Sequence, residues 1–260
     1  MKPETIGLVL IGFIMVLSIG AFFYTPYDPE HIAVLERFRP PSREHWLGTD
    51  HLGRDVFSRL AVGARWSLLI GGLGVLIGGM LGTILGAAAG YFGSKLDELL
   101  MRSADGLYAF PVILVALLAV TVLGPGSRPV LLAVAVGNLP VFMRLARNQV
   151  LKIRNEPFVE AARALGASER RILFCHVLPN AAPVLLVQAV LSLAGAILAE
   201  ASLSYLGVGI QPPHPSWGRM LREAQSFAGL APWTVLAPGI LIAATVLGFN
   251  LIGDRYAQGR

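Results

Sequence analysis

The sequence predicts an all-α membrane protein with six transmembrane helices, and three observations predict it. Apolar residues make up 55% of the 260-residue chain and gather in long blocks. Several blocks reach the roughly 20 residues needed to cross a bilayer as a helix. The stretches between them are basic: only 14% of residues are charged, against about 25% in an ordinary soluble domain, and the net charge is +5. Within one block Gly74, Gly78, Gly82, Gly86 and Gly90 recur every four residues. Glycine is costly inside a helix, so five in register point to a seam where another helix's backbone approaches closely.

Taken in order, Ile6 to Tyr24 is the first span, preceded by the single Lys2. Ser18 and Gly20 have the small size a signal-peptidase site needs. The block nevertheless exceeds the 7–15 apolar residues of a signal peptide, so a retained anchor is expected. Thr25 to Arg65 is polar and reads as a segment outside the bilayer. Trp66 to Phe92 is the second span, and Lys95 to Asp105 a short charged loop. The third span is Phe110 to Leu123, extended by Leu107 and Tyr108, and Gly124-Pro125-Gly126 is a turn signal. The fourth runs from Val130 to about Leu145, with an amphipathic continuation to Leu151. A polar stretch from Lys152 to His176 precedes the fifth span, Ala181 to Leu206. A Pro-rich connector, Gln211 to Gly218, leads to the sixth, Trp233 to Ile252. Residues 1–65 thus form an anchor helix and an outer segment, and 66–260 a five-helix core. Pro140 and Pro238 are expected to bend or break their spans.

Six spans place both termini on one side. With these inside, inner segments carry twelve Lys/Arg and outer segments nine. The densest short basic block, Arg144 to Arg171, falls inside, as the positive-inside rule favours. One cysteine, Cys175, excludes a disulfide-stapled scaffold. The positive charge is that of basic membrane loops; no aromatic-basic platform or zinc-finger spacing suggests nucleic acid. No G-x-S-x-G or H-E-x-x-H motif supports an intramembrane hydrolase, so no catalytic or metal-binding residues are assigned.

The polar stretch after the fourth span is the most informative. Pro157 suits the first turn of a helix, where its missing N–H costs nothing. Glu160-Ala161-Ala162 follow on that helix. Gly166 suits a left-handed helix end, and Ser168 can cap a second helix. Leu178-Pro179 leads into the next span. The product is a helix, a sharp turn and another helix on the basic side. Its small alanines could seat in a partner's groove, with Glu160 as an orienting charge; a solvated helical loop reads equally well.

Glu160-Ala161-Ala162-x3-Gly166 followed by Leu178-Pro179 resembles the EAA loop of ABC-importer permeases. His176 stands where that motif usually has isoleucine. The stretch from His45 to Leu60 resembles the segment after the first helix in C-type permeases of dipeptide, oligopeptide and nickel importers. Glu200 to Gly207, Pro215-Ser216-Trp217-Gly218 and Asn250 to Asp254 also resemble that family. The resemblance implies a type I importer permease fold in the bacterial cytoplasmic membrane, with 152–179 carrying a cytoplasmic coupling helix. It implies a second, related permease as heterodimer partner, two ATP-binding subunits, an extracytoplasmic substrate-binding protein and membrane lipid. ATP and Mg belong to the partner subunits, since the chain lacks G-x-x-x-x-G-K-[ST]. Short peptides are the expected cargo, with nickel or a metal chelate as the alternative. A channel or secondary transporter would leave the 160–179 loop without a docking purpose.

Glu200 lies in the fifth span, and an intramembrane carboxylate is a functional candidate by default. It either faces the pathway or a partner permease, or makes a structural hydrogen bond. Asn138 and Asn250 are cheaper to bury and are expected to bridge helices. Asp50, Arg54 and Asp55 are expected to form an outer ion-pair lattice. His31, His45, His51 and His214 also fall on the outer side, in no particular metal-ligand spacing.

Overall fold

The computed structural model describes residues 2–258 and is helical, with an isolated bridge between Thr49 and Asp55. Arg260, counted above among the inner cations, lies outside the described residues. The helices are α1 (Pro3–Phe23), α2 (Val56–Phe92), α3 (Ser94–Ala109), α4 (Val112–Leu123), α5 (Ser127–Ile153), α6 (Pro157–Ala164), α7 (Glu169–Arg171), α8 (Leu178–Leu206), α9 (Trp217–Ala224) and α10 (Trp233–Gln258). A π-helical stretch, Ile172–Val177, joins α7 and α8 into one continuous helix. Among the described residues five helices are long and apolar enough to cross a membrane, and α3 with α4 makes a sixth if that bent pair counts as one span.

Sequence and structure differ where polar helices resemble loops. Lys95 to Asp105 is no loop but most of α3. Its charges anchor it to α5, through Asp97 to Arg147 at 2.6 Å and Asp105 to Arg144 at 2.6 Å. Leu107 and Tyr108 close α3 rather than open α4. Pro111 disfavours helical backbone at the preceding residue, Phe110 is extended, and the chain turns by 87° there. α2 begins ten residues before Trp66, because the Asp55 carboxylate accepts the Ser58 N–H at 2.8 Å and caps a helix starting at Val56. The 65/66 division therefore falls inside α2. α5 and α10 continue through Pro140 and Pro238 without a break.

The glycine stripe lets α2 and α5 approach closely along several successive turns. A Cβ on Gly78, Gly82, Gly86 or Gly90 would lie 2.1–2.7 Å from the carbonyl oxygen of Ala135, Leu139, Met143 or Arg147, respectively; one on Gly74 would strike Val134. α2 and α5 therefore pack backbone to backbone. α1 closes on α10 the same way, with Gly7 against Gly248. Buried side chains form three clusters: one around Val134 and Phe142, one around Trp217 and Ile197, and one at the opposite end around Val159 and Ile172.

Candidate functional site

The segment after α5 builds a projecting helical turn from local chemistry. Pro157 occupies the first turn of α6 after an extended Glu156. At the far end Gly166 has φ +82°, and its N–H donates to the Arg163 carbonyl at 3.0 Å. The Ala167 N–H donates to the Ala162 carbonyl at 3.1 Å. This is a Schellman closure, which satisfies two terminal carbonyls. The Ser168 hydroxyl then caps α7 by accepting the Arg171 N–H. Nothing crowds a Cβ at Gly166, so the backbone angle alone demands glycine there.

Only one face of α6 is held. Val159 is fully buried in the third cluster with Ala87, Ile153 and Val177. Leu178 packs against that cluster, and Pro179 lies exposed on the first turn of α8. Glu160, Ala161, Gly166 and 89% of Leu165 stay uncovered, with Ala162 half-buried. The turn is braced from behind. Arg163 pairs with Glu169 at 3.1 Å, and the Tyr91 hydroxyl of α2 donates to the same carboxylate. Arg154 donates to the Gly90 carbonyl at 2.7 Å, capping the end of α2. The arrangement offers an uncovered surface of small and apolar side chains bearing the Glu160 carboxylate. Nothing local in the sequence marks Tyr91 and Glu169 as partners, since they lie 78 positions apart.

At the other end a polar cluster fastens the segment between α1 and α2 to α9. Arg54 Nε meets Asp50 at 2.7 Å, and Arg54 Nη2 meets Glu223 at 2.7 Å. Arg59, 1% exposed, reaches the same Glu223 oxygen at 3.1 Å, and Arg219 takes the other at 2.8 Å. Among the described residues Asp55 joins no arginine; besides capping α2 it bonds His45 at 2.9 Å. The lattice is thus Asp50, Arg54, Arg59, Arg219 and Glu223. Burial opposes ionisation of Glu223, but Arg59, Arg219 and Arg54 prevail and hold its carboxyl below the usual range. Burial lowers His51, whose ring stacks on Phe227. Asp50, His51 and Glu223 stand close enough to share a cation. Their carboxylates are already taken by three arginines whose charge would repel a metal, so the set does not fit one. His214 is engaged by Glu30 at 2.8 Å.

The Pro-Ser-Trp-Gly segment positions α9. The Ser216 hydroxyl caps it, Trp217 is fully buried and donates to the Leu60 carbonyl at 3.1 Å, and a Cβ on Gly218 would meet the Ala201 carbonyl at 2.0 Å. Glu200 lies beneath, fully buried on α8. It accepts the Ser204 hydroxyl at 2.7 Å, with Ser67 and Ser216 beside it. It faces protein interior among helices of its own chain. Asn138 donates to the Val134 carbonyl of its own helix at 2.8 Å instead of bridging to another, and Asn250 is half-buried on α10.

A family model described as the binding-protein-dependent transport system inner membrane component matches residues 82–259. The dipeptide transport system permease protein DppC of Alkalihalophilus pseudofirmus is 44% identical over 97% of this chain and 83% of its own length. The glutathione transport system permease protein GsiD of Pectobacterium atrosepticum is 43% identical over 95% of this chain and 83% of its own. Among solved structures, an inward-facing form of the MetNI methionine ABC transporter contains a chain that superposes with a TM-score of 0.61. The match covers 76% of this chain and 94% of that one at 20% identity, a likeness of fold. Helical architecture and sequence together define a multi-pass membrane transport permease. The chain belongs to the family of binding-protein-dependent transport system inner membrane components.

Proposed function

We propose that the chain forms half of the translocation pathway of an ATP-driven importer for short peptides. The observation that carries this is the uncovered face of α6. Glu160, Ala161 and the Gly166 turn stay uncovered, while Val159 and the Tyr91–Glu169–Arg163 bridge tie the turn to the bundle. An ATP-binding subunit seated there would transmit its closure into α5 and α8, which flank the turn. Two such subunits would supply ATP and Mg chemistry, and this chain would carry no catalysis of its own. A second, related permease would complete the pathway, and a binding protein would deliver cargo at the Arg54–Glu223 end. Both termini and α6 would then lie in the cytoplasm.

Peptide is favoured over nickel as cargo. The relatives matched over nearly the whole chain are named for dipeptide and glutathione transport. Ring nitrogens of His45 and His214 are engaged by Asp55 and Glu30, and His51 stands beside arginines that would repel a metal. Cells lacking the chain should lose uptake of labelled dipeptide and recover it on complementation. Loss of nickel uptake with peptide uptake intact would overturn the assignment.

A further inference from the structure

Between α1, α2, α8 and α10 the bundle leaves an apolar groove of about 770 Å³, within the range of roughly 300–1,000 Å³ typical of sites for single small molecules. Met15, Leu69, Gly72, Leu193 and Phe249 line it. A Cβ at Gly72 would meet nothing within 4 Å, so packing does not require glycine there; its effect is to leave the floor open.

One end carries a cation. The guanidinium carbon of Arg65 lies 3.4 Å from the centroid of the Phe22 ring. None of the ion pairs among the described residues engages it. A stacked guanidinium keeps its N–H edge free, and that edge matches two oxygens of a phosphate. Trp66, beside it, has its ring 5.9 Å from His214, which pairs with Glu30. An amphipathic indole between apolar and polar groups marks the depth of lipid headgroups. From Phe22 to Ile11 the groove follows α1 for about 16 Å at 1.5 Å per residue, close to the ~15 Å of one leaflet's hydrocarbon.

We propose that this groove holds an acyl chain of a phospholipid from the leaflet at the Phe22 end, with its phosphate bound by Arg65. An apolar helix from a partner protein would fill the groove but seal the cation against hydrocarbon without an anion, which is costly. A phospholipid supplies the chain and the anion together.

The test replaces Leu69, half exposed in the groove wall, with p-benzoylphenylalanine in the membrane-embedded complex and reads photo-adducts by mass spectrometry. A phospholipid adduct is expected. Arg65→Gln should lower its yield roughly tenfold, the weight of one charge-assisted hydrogen bond. Gly72→Leu, which fills the floor and leaves Arg65 in place, should lower it as well, and it checks the result should the arginine variant fold poorly. Adducts mainly to another polypeptide, or a lipid yield indifferent to both substitutions, would overturn the proposal.

Discussion

Arg54 and Glu223 stand 169 residues apart and meet at 2.7 Å, joining the segment before α2 to the short helix before α10. Glu223 also holds Arg59 and Arg219, so one carboxylate stands among three guanidinium groups. Glu223→Ala should leave those arginines uncompensated in a buried setting. The expected loss is about 3 kcal/mol, the lower end for a broken buried pair because the Glu223 side chain keeps 16% exposure. Thermal unfolding in detergent should show a Tm lower by several degrees, and limited proteolysis should cut between residues 25 and 55. A Tm equal to that of the parent would argue against the clasp.

The same cluster sets a pH dependence. The folded state holds Glu223 below its ordinary carboxyl range, so unfolding takes up a proton there as the medium turns acid. Its contribution is complete above about pH 4.5 and is lost as pH falls through the lower, folded value. His51 is lowered by burial, so its contribution is complete above about pH 6.5 and fades in turn as pH falls through its own folded value. Protease resistance of the 25–55 segment should therefore weaken first below about pH 6.5. His51→Phe, which keeps the stacking on Phe227, should abolish that first step.

The α2–α5 seam gives a contrast between glycines of one helix. Gly86→Val would force a side chain against the Met143 carbonyl, which a Cβ alone would approach to 2.1 Å, and should cost about 3 kcal/mol or more. Gly72→Ala meets open space and should be neutral or gain up to about 1 kcal/mol from helix propensity. The yield of monodisperse protein after heating should separate them. Equal behaviour would contradict the seam.

Glu200 should tolerate glutamine. The amide keeps the acceptor for the Ser204 hydroxyl and adds a donor on the side of Ser67, whose hydroxyl finds no partner among the described residues. Peptide uptake by Glu200→Gln should stay within about fivefold of the parent, since one neutral hydrogen bond is worth about 1 kcal/mol. Glu200→Lys should block accumulation in the membrane, because a longer cation would be buried with no anion. Abolished uptake in a well-folded glutamine variant would instead assign the carboxylate a direct part in transport.

How far the sequence speaks depends on the range of the interaction. Pro157, Gly166 and Ser168 act within a few residues, so the helix–turn–helix was legible position by position. The glycine register was legible too, but not its partner, because nothing in α2 names the Ala135-to-Arg147 face of α5. α3 misleads because its charges are those of a loop until Asp97 finds Arg147 fifty residues away. The helix break at Phe110 follows from Pro111, a local signal outweighed by the apolar run around it. Glu223 carried no mark beyond its four-residue spacing from Arg219, and the buried site of Glu200 depends on Ser67 and Ser216 from two other segments.

The docking role of α6 is tested most directly by co-purifying the ATP-binding subunit with chains carrying Glu160→Ala or Gly166→Val. Valine at φ +82° should cost about 1–2 kcal/mol and distort the turn without touching the bundle. The expected result is normal membrane insertion with loss of ATPase association and of peptide uptake. Normal co-purification and normal uptake in both variants would contradict the account.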